Sequence, residues 1–357
     1  MKSKQIHTHS TYVLMSGWAR SGAALSCAII NAHSETAFSV DVVKYLNFCF
    51  NRYPILNDHN LEIMIKEMHL RLKSRFSINF DVNKCIKKIG DNREHHNIYV
   101  ILMDHIIGCD LEKKIIGEYE GVTWGRVPYF LRSIQNSKAM MIVRDPRDVL
   151  VSFKKNTIAT GDDYLISVFN SLGLMTSWIE TKELFSDRFY GIRFEELKKN
   201  TEEETNRIAD FLEIDFQPSM LDSNNWKIRR GNDWKKWGNH DSSSFSSDLK
   251  LKKNPVGRWR ELIDPVDHFI CELITGNVMK SFGIELEFAD PKDELFELAI
   301  NRLMTSPLLR KSFLDYIYRG KGSERYPLDP CDPNNWDKRH IDNTDLLDLM
   351  GKSRIIT

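Results

Sequence analysis

Thr11-Tyr12-Val13-Leu14-Met15-Ser16-Gly17-Trp18-Ala19-Arg20-Ser21-Gly22-Ala23-Ala24, continuing to Asn31, reads as three pieces in order. Thr11 to Met15 is a short apolar run of the kind buried in a parallel sheet. Ser16 to Gly22 is a loop of small residues bounded by glycine, and Ala23 to Asn31 reads as a helix. Strand, glycine-bounded loop and helix form the opening unit of a phosphate-binding α/β fold. Gly17 and Gly22 carry the spacing of GxxxxGK[ST], but Ala23 and Ala24 stand where lysine and a hydroxyl residue belong. ATP and GTP chemistry needs both groups, one for the terminal phosphates and one for Mg²⁺, so triphosphate turnover is not expected. What survives is a cradle of backbone amides from Gly17 through Ala24 that holds one phosphate, with the fixed charge of Arg20 inside it. Alone, such a loop is equally a βα turn that binds nothing.

Moving outward, apolar runs and helical spacings alternate. Leu61 to Arg75 has helical spacing, Ile98 to Met103 reads as a strand, and Val127 to Ile134 as a helix. Ala139 to Val143 is the clearest internal strand. Asp145-Pro146 ends it, with Pro146 in the first turn of a helix reaching about Lys155. A helix from Tyr164 to Leu184, a strand from Phe189 to Phe194 and a helix from Glu202 to Leu212 follow. The pattern predicts a three-layer α/β/α sandwich around a central parallel sheet. Residues 1–288 are expected to form this domain. Residues 289–357 are expected to add a helical extension from Glu294 to Tyr318 and a polar tail with Pro327, Pro330 and Pro333. The Trp226 to Phe245 segment, with Trp234, Trp237, Lys227, Arg229 and Arg230, reads as a loop-rich lid.

Met141-Ile142-Val143-Arg144-Asp145-Pro146-Arg147-Asp148-Val149-Leu150-Val151-Ser152-Phe153 sets an arginine at the carboxyl end of a strand. Ser152 comes about two turns into the following helix. Ligands of open α/β sheets bind at the carboxyl ends of strands. Arg144 has the planar fork for a phosphate and Ser152 a hydroxyl, while Asp145 or Asp148 is placed to hold Arg144 or Arg147. Read by itself, the cluster is also an ordinary charged helix cap.

Together these segments resemble the sulfotransferases that use 3′-phosphoadenosine-5′-phosphosulfate (PAPS). Ser16 to Gly22 is similar to their 5′-phosphosulfate loop, and IVRDPRDVLVSF to their 3′-phosphate motif, which implies the phosphate roles for Arg144 and Ser152. Tyr190 to Leu197 resembles a strand ending in a "YEDL" element, with Phe194 in place of an adenine-contacting tyrosine. Lys252-Lys253-Asn254-Pro255-Val256-Gly257-Arg258-Trp259 resembles the "RKGxxGxW" loop, its basic pair kept and Asn254 replacing the first glycine. Ser243-Ser244-Phe245 falls where the family has Thr/Ser-Ser-Phe near the adenine, which implies nucleotide contacts for Ser243 and Phe245. Ala23 and Ala24 depart from the family, whose members carry hydroxyl residues there.

The resemblance implies a PAPS-dependent transferase that releases PAP and needs no metal, with a small-molecule or carbohydrate hydroxyl, or an amine, as acceptor. Arg20 is the candidate cation for the leaving phosphate. Many relatives use a histidine as general base; the corresponding stretch, Ile116 to Trp124, has none and offers Glu118 or Glu120, with Glu118 favoured and His105 a further candidate. Both glutamates are equally readable as solvated turn carboxylates. Trp18, Trp124, Tyr129 and Phe130 are candidates to shape the acceptor pocket. The alanine pair and the missing histidine also fit a non-catalytic PAPS- or PAP-binding protein.

Composition limits the partners. Fifty Lys and Arg balance fifty Asp and Glu, so no global field draws nucleic acid or membrane. The first ten residues lack the apolar stretch of a secretion signal, and no apolar run approaches the roughly 20 residues of a membrane span. Six scattered cysteines, with no CxxC pair, predict reduced core thiols in a cytoplasmic protein.

Overall fold

The alternating elements assemble into a five-stranded sheet with helices on both faces. This is seen in a computed structural model that describes residues 10–50, 52–76, 78–108, 113–157, 159–228, 232–233, 255–288 and 293–326. In chain order the main elements are β1 (Thr11–Gly17), α1 (Ala23–Asn31), β2 (Thr36–Val40), α2 (Tyr45–Phe48), α3 (Asp58–Phe76), α4 (Val82–Ile89), α5 (His95–Met103) and β3 (Ile115–Tyr119). Next come α6 (Val127–Ser133), β4 (Ser137–Val143), α7 (Pro146–Asn156), α8 (Ile166–Leu184), β5 (Phe189–Arg193), α9 (Phe194–Lys199) and α10 (Thr201–Leu212). Four more helices follow: α11 (Trp259–Leu262), α12 (Pro265–Ser281), α13 (Asp293–Leu303) and α14 (Pro307–Arg319).

The strand order is β2-β3-β1-β4-β5 and every pair is parallel. Successive side chains of a strand enter opposite layers. On β1, Tyr12 and Leu14 join the core with Ile116, Ala139 and Met141. Val13 and Met15 join the other with Ile115, Met140 and Ile142. Both faces are therefore dry, which is why β1 and β4 are continuous apolar runs rather than alternating ones. Each fully buried large side chain contributes about 1.5–3 kcal/mol. The chain leaves β1 toward β2 and β3 and returns to β4 on the far side of β1. The cradle loop thus opens at the point where the strand order reverses, the usual ligand crevice of such sheets.

Ile98–Met103, expected as a strand, is the second half of α5. Asn97, Ile98, Tyr99, Ile101, Leu102 and Met103 are all buried, and a helix apolar all round shows no period that separates it from a buried strand. The single helical stretch expected from Glu294 is broken into α13 and α14. Ser306 caps α14 by accepting from the Leu309 amide and Pro307 stands in its first turn, so the preceding helix stops. Ala299, Leu303, Leu309 and Phe313 of these two helices are buried in the same core as α8 and α12. Trp226, expected in a lid, is a core residue whose Nε1 donates to the Met220 carbonyl at 2.9 Å. The rest of that lid, including Arg229, Arg230, Trp234 and Trp237, lies outside the described residues apart from short stretches of backbone. Cys27, Cys49, Cys85 and Cys271 are free and buried; Cys109 and Cys331 lie outside the described residues. Among the described residues no helix is long and apolar enough to cross a membrane.

Candidate functional site

Gly17 ends β1, Ala23 begins α1, and the turn between them is held by its own side chains. Ser21 is buried and its hydroxyl donates to the Trp18 carbonyl at 2.7 Å. Gly22 caps α1 with φ +100°, a left-handed conformation that glycine adopts without a Cβ penalty. A Cβ there would meet the Phe194 ring at 2.3 Å, so Gly22 fits the conformation and the neighbour at once. No side chain caps α1. Ala23 and Ala24 supply no hydroxyl, and the cradle consists of backbone with Arg20 and Ser21; Trp18 is buried beside Phe153.

Three segments converge on this turn. Arg20, at φ +72°, donates from Nε to the Ser152 hydroxyl on α7 at 3.0 Å. From the end of β4, Arg144 donates from Nη1 to the Arg20 carbonyl at 3.0 Å and from Nη2 to the Pro255 carbonyl. Its guanidinium lies 4.7 Å over the Phe194 ring. Arg144 is 8% exposed, and its Nε has no acceptor among the described residues. Burial pushes the Arg144 pKa down, and the nearby charges of Arg258 and Arg20 push it the same way, while Asp148 and Glu195 oppose them. The buried Asp148 carboxylate, 3.6 Å from Arg144 Nη2, offsets part of the charge that Arg20, Arg144 and Arg258 bring to this turn.

Asp148 is buried and reaches across to the loop before α11, accepting from the amides of Gly257 at 2.8 Å and Trp259 at 3.1 Å. Arg147 turns away from the cradle and pairs with Asp145 at 2.8 Å and Glu272 at 2.7 Å, with the Trp259 ring 3.8 Å from its guanidinium. The acidic and basic residues of the RDPRD segment thus divide their work. Arg144 faces the cradle, while Asp148 and Arg147 fix the returning loop. Lys252, Lys253, Asn254, Ser243 and Phe245 lie outside the described residues.

Glu118 sits inside β3 and Glu120 just beyond its end, and neither is solvated: both are 0% exposed. Glu118 accepts from the amides of Val42 at 2.7 Å, Val43 at 2.6 Å and Lys44 at 3.0 Å, and from the Ser39 hydroxyl at 3.2 Å. Glu120 accepts from the amides of Asn47 at 2.6 Å and Leu46 at 3.3 Å. Burial pushes Glu118 up to about 7, and burial together with the charge of Glu118 pushes Glu120 up to about 8. His105 stands in a π-helical turn after α5, edge-on to Phe80. Trp124 and Phe130 are core residues, and Tyr129 packs against Phe50.

Residues with no motif around them complete the site. Lys44, 5% exposed, and Tyr326 meet beside Trp18. Arg258 adds its charge near Arg144. Five non-glycine residues have positive φ among the described residues, and four of them, Arg20, Asp41, Lys44 and Val122, follow the carboxyl ends of β1, β2 and β3. Such backbone persists where surrounding structure holds it, and it gathers at functional sites.

Residues 124–283 match the family described as "Sulfotransferase domain". Sulfotransferase 2A1 of Rattus norvegicus is 29% identical over 151 residues, which is 37% of this chain and 53% of that protein, so the match spans about half of the relative's length. Among solved structures, the sulfotransferase domain of the Synechococcus PCC 7002 olefin synthase aligns over 80% of this chain and 98% of its own at 17% identity, with a TM-score of 0.52. The sulfotransferase domain from the curacin biosynthetic pathway aligns over 78% and 99% at 16% identity, with a TM-score of 0.48. The first of these structures shares the fold of this chain, and the segment that matches the sulfotransferase domain, residues 124–283, carries Arg144, Ser152 and Phe194.

Proposed function

We propose that the protein transfers a sulfuryl group from PAPS to a hydroxyl or amine of a small-molecule or carbohydrate acceptor and releases PAP. One observation carries this reading: Arg144 and Ser152 of the β4–α7 stretch and Phe194 at the start of α9 gather at the amide turn between Gly17 and Ala24, which itself carries Arg20. The donor has two anionic ends and an aromatic base, and the residues present fit that pattern. The amides of the turn and Arg20 suit the 5′-phosphosulfate. Arg144, with an Nε donor in reserve, and the Ser152 hydroxyl suit the 3′-phosphate. Phe194 suits an edge or face contact with adenine. Lys252, Lys253, Asn254, Ser243 and Phe245 are assigned to the same nucleotide by the family resemblance.

In the reaction the acceptor oxygen or nitrogen attacks sulfur in line, a new bond to sulfur forms, and the bond from sulfur to the phosphate oxygen breaks. Arg20 stabilises the charge that develops on the departing phosphate; a guanidinium stays protonated at neutral pH, so it acts as a charge and not as an acid. The acceptor proton passes to a buried carboxylate. Of the two candidates, Glu118 has its oxygens engaged by four donors, three of them amides, and acts to hold the 42–44 turn. Glu120 accepts from two amides and keeps more acceptor capacity, so it is the better base. A carboxylate raised toward neutral pH suits that task.

Ala23 and Ala24 favour a second reading, a PAPS- or PAP-binding protein without transfer. Calorimetric titration with PAP separates donor binding from chemistry. The proposal expects binding that is weakened in Arg144→Ala and Ser152→Ala; absence of binding in the unaltered protein would end both readings.

A further inference from the structure

The stretch that follows α14 does not leave the body but turns back across it. Gly320, at φ +61°, ends the helix. Ser323 then donates its amide to the Phe169 carbonyl at 2.8 Å, and Asn170 pairs with the backbone of Arg325 through both ends of its amide, at 2.6 and 3.1 Å. The Gly125 amide donates to Glu324 Oε1 at 3.0 Å. Three glycines make room for this seat. A Cβ at Gly173 would lie 2.4 Å from the Ser323 carbonyl oxygen, one at Gly125 2.6 Å from Glu324 Oε2, and one at Gly121 2.9 Å from the Tyr326 hydroxyl. A path cleared at three separate positions, with backbone bonds along it, is a built seat and not a passing tail.

At the end of the strap the Tyr326 ring stands beside Trp18, 6.0 Å between centroids. Its hydroxyl donates to the Gly121 carbonyl at 2.8 Å and accepts from Lys44 Nζ at 3.2 Å. Gly121 follows β3 and Trp18 follows β1, so Tyr326 walls the β1/β3 side of the cradle. Arg144 and Phe194 occupy the β4/β5 side. In-line attack requires the acceptor to approach opposite the leaving phosphate. With the nucleotide on the β4/β5 side, the acceptor enters between β1 and β3.

We infer that Tyr326, carried on the 320–326 strap, is a specificity-determining residue of the acceptor side, its ring selecting acceptors by their width. The inference rests on the donor reading above. The Lys44 and Gly121 bonds hold the ring in place.

The test uses PAP-saturated full-length protein with phenol and 2-naphthol as narrow and wide probes, followed by transfer from PAPS to each. Tyr326→Ala removes the wall directly. Gly173→Ala dislodges the strap from within α8, away from the cradle, and improves local helix propensity. Both variants are expected to keep wild-type PAP affinity and to shift the 2-naphthol over phenol preference, in binding and in kcat/KM, by about tenfold or more, the scale of a pocket that gains or loses a small apolar group. Tyr326→Phe, which keeps the ring, should retain the wild-type preference. An unchanged preference in both variants with PAP affinity intact overturns the inference, and so does failure of either probe to bind any form. Lack of PAP binding by the wild type sinks the donor reading itself, and the wall with it.

Discussion

Gly22→Ala probes the cradle more sharply than any other single change, because two independent penalties meet at one atom. The backbone at φ +100° is left-handed, and forcing an L-residue into that region costs roughly 1–2 kcal/mol. The new Cβ would also lie 2.3 Å from Phe194 Cδ2, and Phe194 is 6% exposed, so the ring has little space to retreat. Overpacking of this sort costs roughly 1–3 kcal/mol. The sum is about 2–5 kcal/mol. A double-mutant cycle separates the parts. In a Phe194→Ala background the steric penalty disappears and only the backbone penalty remains, so Gly22→Ala there should cost about 1–2 kcal/mol. Urea unfolding followed by fluorescence gives all four stabilities. Because Phe194 also supports the Arg144 guanidinium, Gly22→Ala alone should weaken PAP binding. Equal penalties in both backgrounds, or none in either, would refute the packing of Phe194 against the turn.

Arg144→Lys keeps the charge but loses the fork that spans Arg20 and Pro255 and the contact over Phe194. PAP affinity by calorimetry should fall about 10- to 100-fold, the equivalent of one charge-assisted hydrogen bond. Glu118 and Glu120 bind protons more tightly in the folded chain than in the unfolded one. Their contribution to stability is therefore full below the ordinary carboxyl value of 4.5 and is lost as pH rises through about 7 and about 8. Urea midpoints measured across that window should fall with pH, and Glu120→Gln should flatten the slope; a slope unchanged by the substitution contradicts the assignment. The same variant should lose transfer activity while retaining PAP affinity.

Much of the fold was legible because its signals are local. The apolar run of β1, the glycine turn and α1 are found where the spacing predicts, and Asp145-Pro146 marks the start of α7 by cap chemistry alone. β2 carried no such signal: Thr36-Ala37-Phe38-Ser39-Val40 becomes a strand through pairing with β3. Ile98–Met103 of α5 has the composition of a buried strand because burial on nearly every side removes helical periodicity. In the site, chain order brought Arg20, Arg144, Ser152 and Phe194 into one reading, and tertiary structure brings the four together. Lys44 and Tyr326 could not be found that way, since 282 residues separate two side chains in hydrogen-bond contact. Glu118 and Glu120 were open between buried bases and solvated turn acids. Amides from the 42–47 stretch, more than 70 positions earlier, are what allow carboxylates inside the sheet.

The central claim is tested most directly by incubating the purified protein with ³⁵S-labelled PAPS and a panel of phenols, alcohols, sugars and amines, with Arg20→Ala alongside. The account predicts label transferred to at least one acceptor class, PAP released in equal amount, and transfer lost in Arg20→Ala while the protein stays folded. Tight PAPS binding with no transfer to any acceptor, or transfer that persists undiminished in Arg20→Ala, would contradict it.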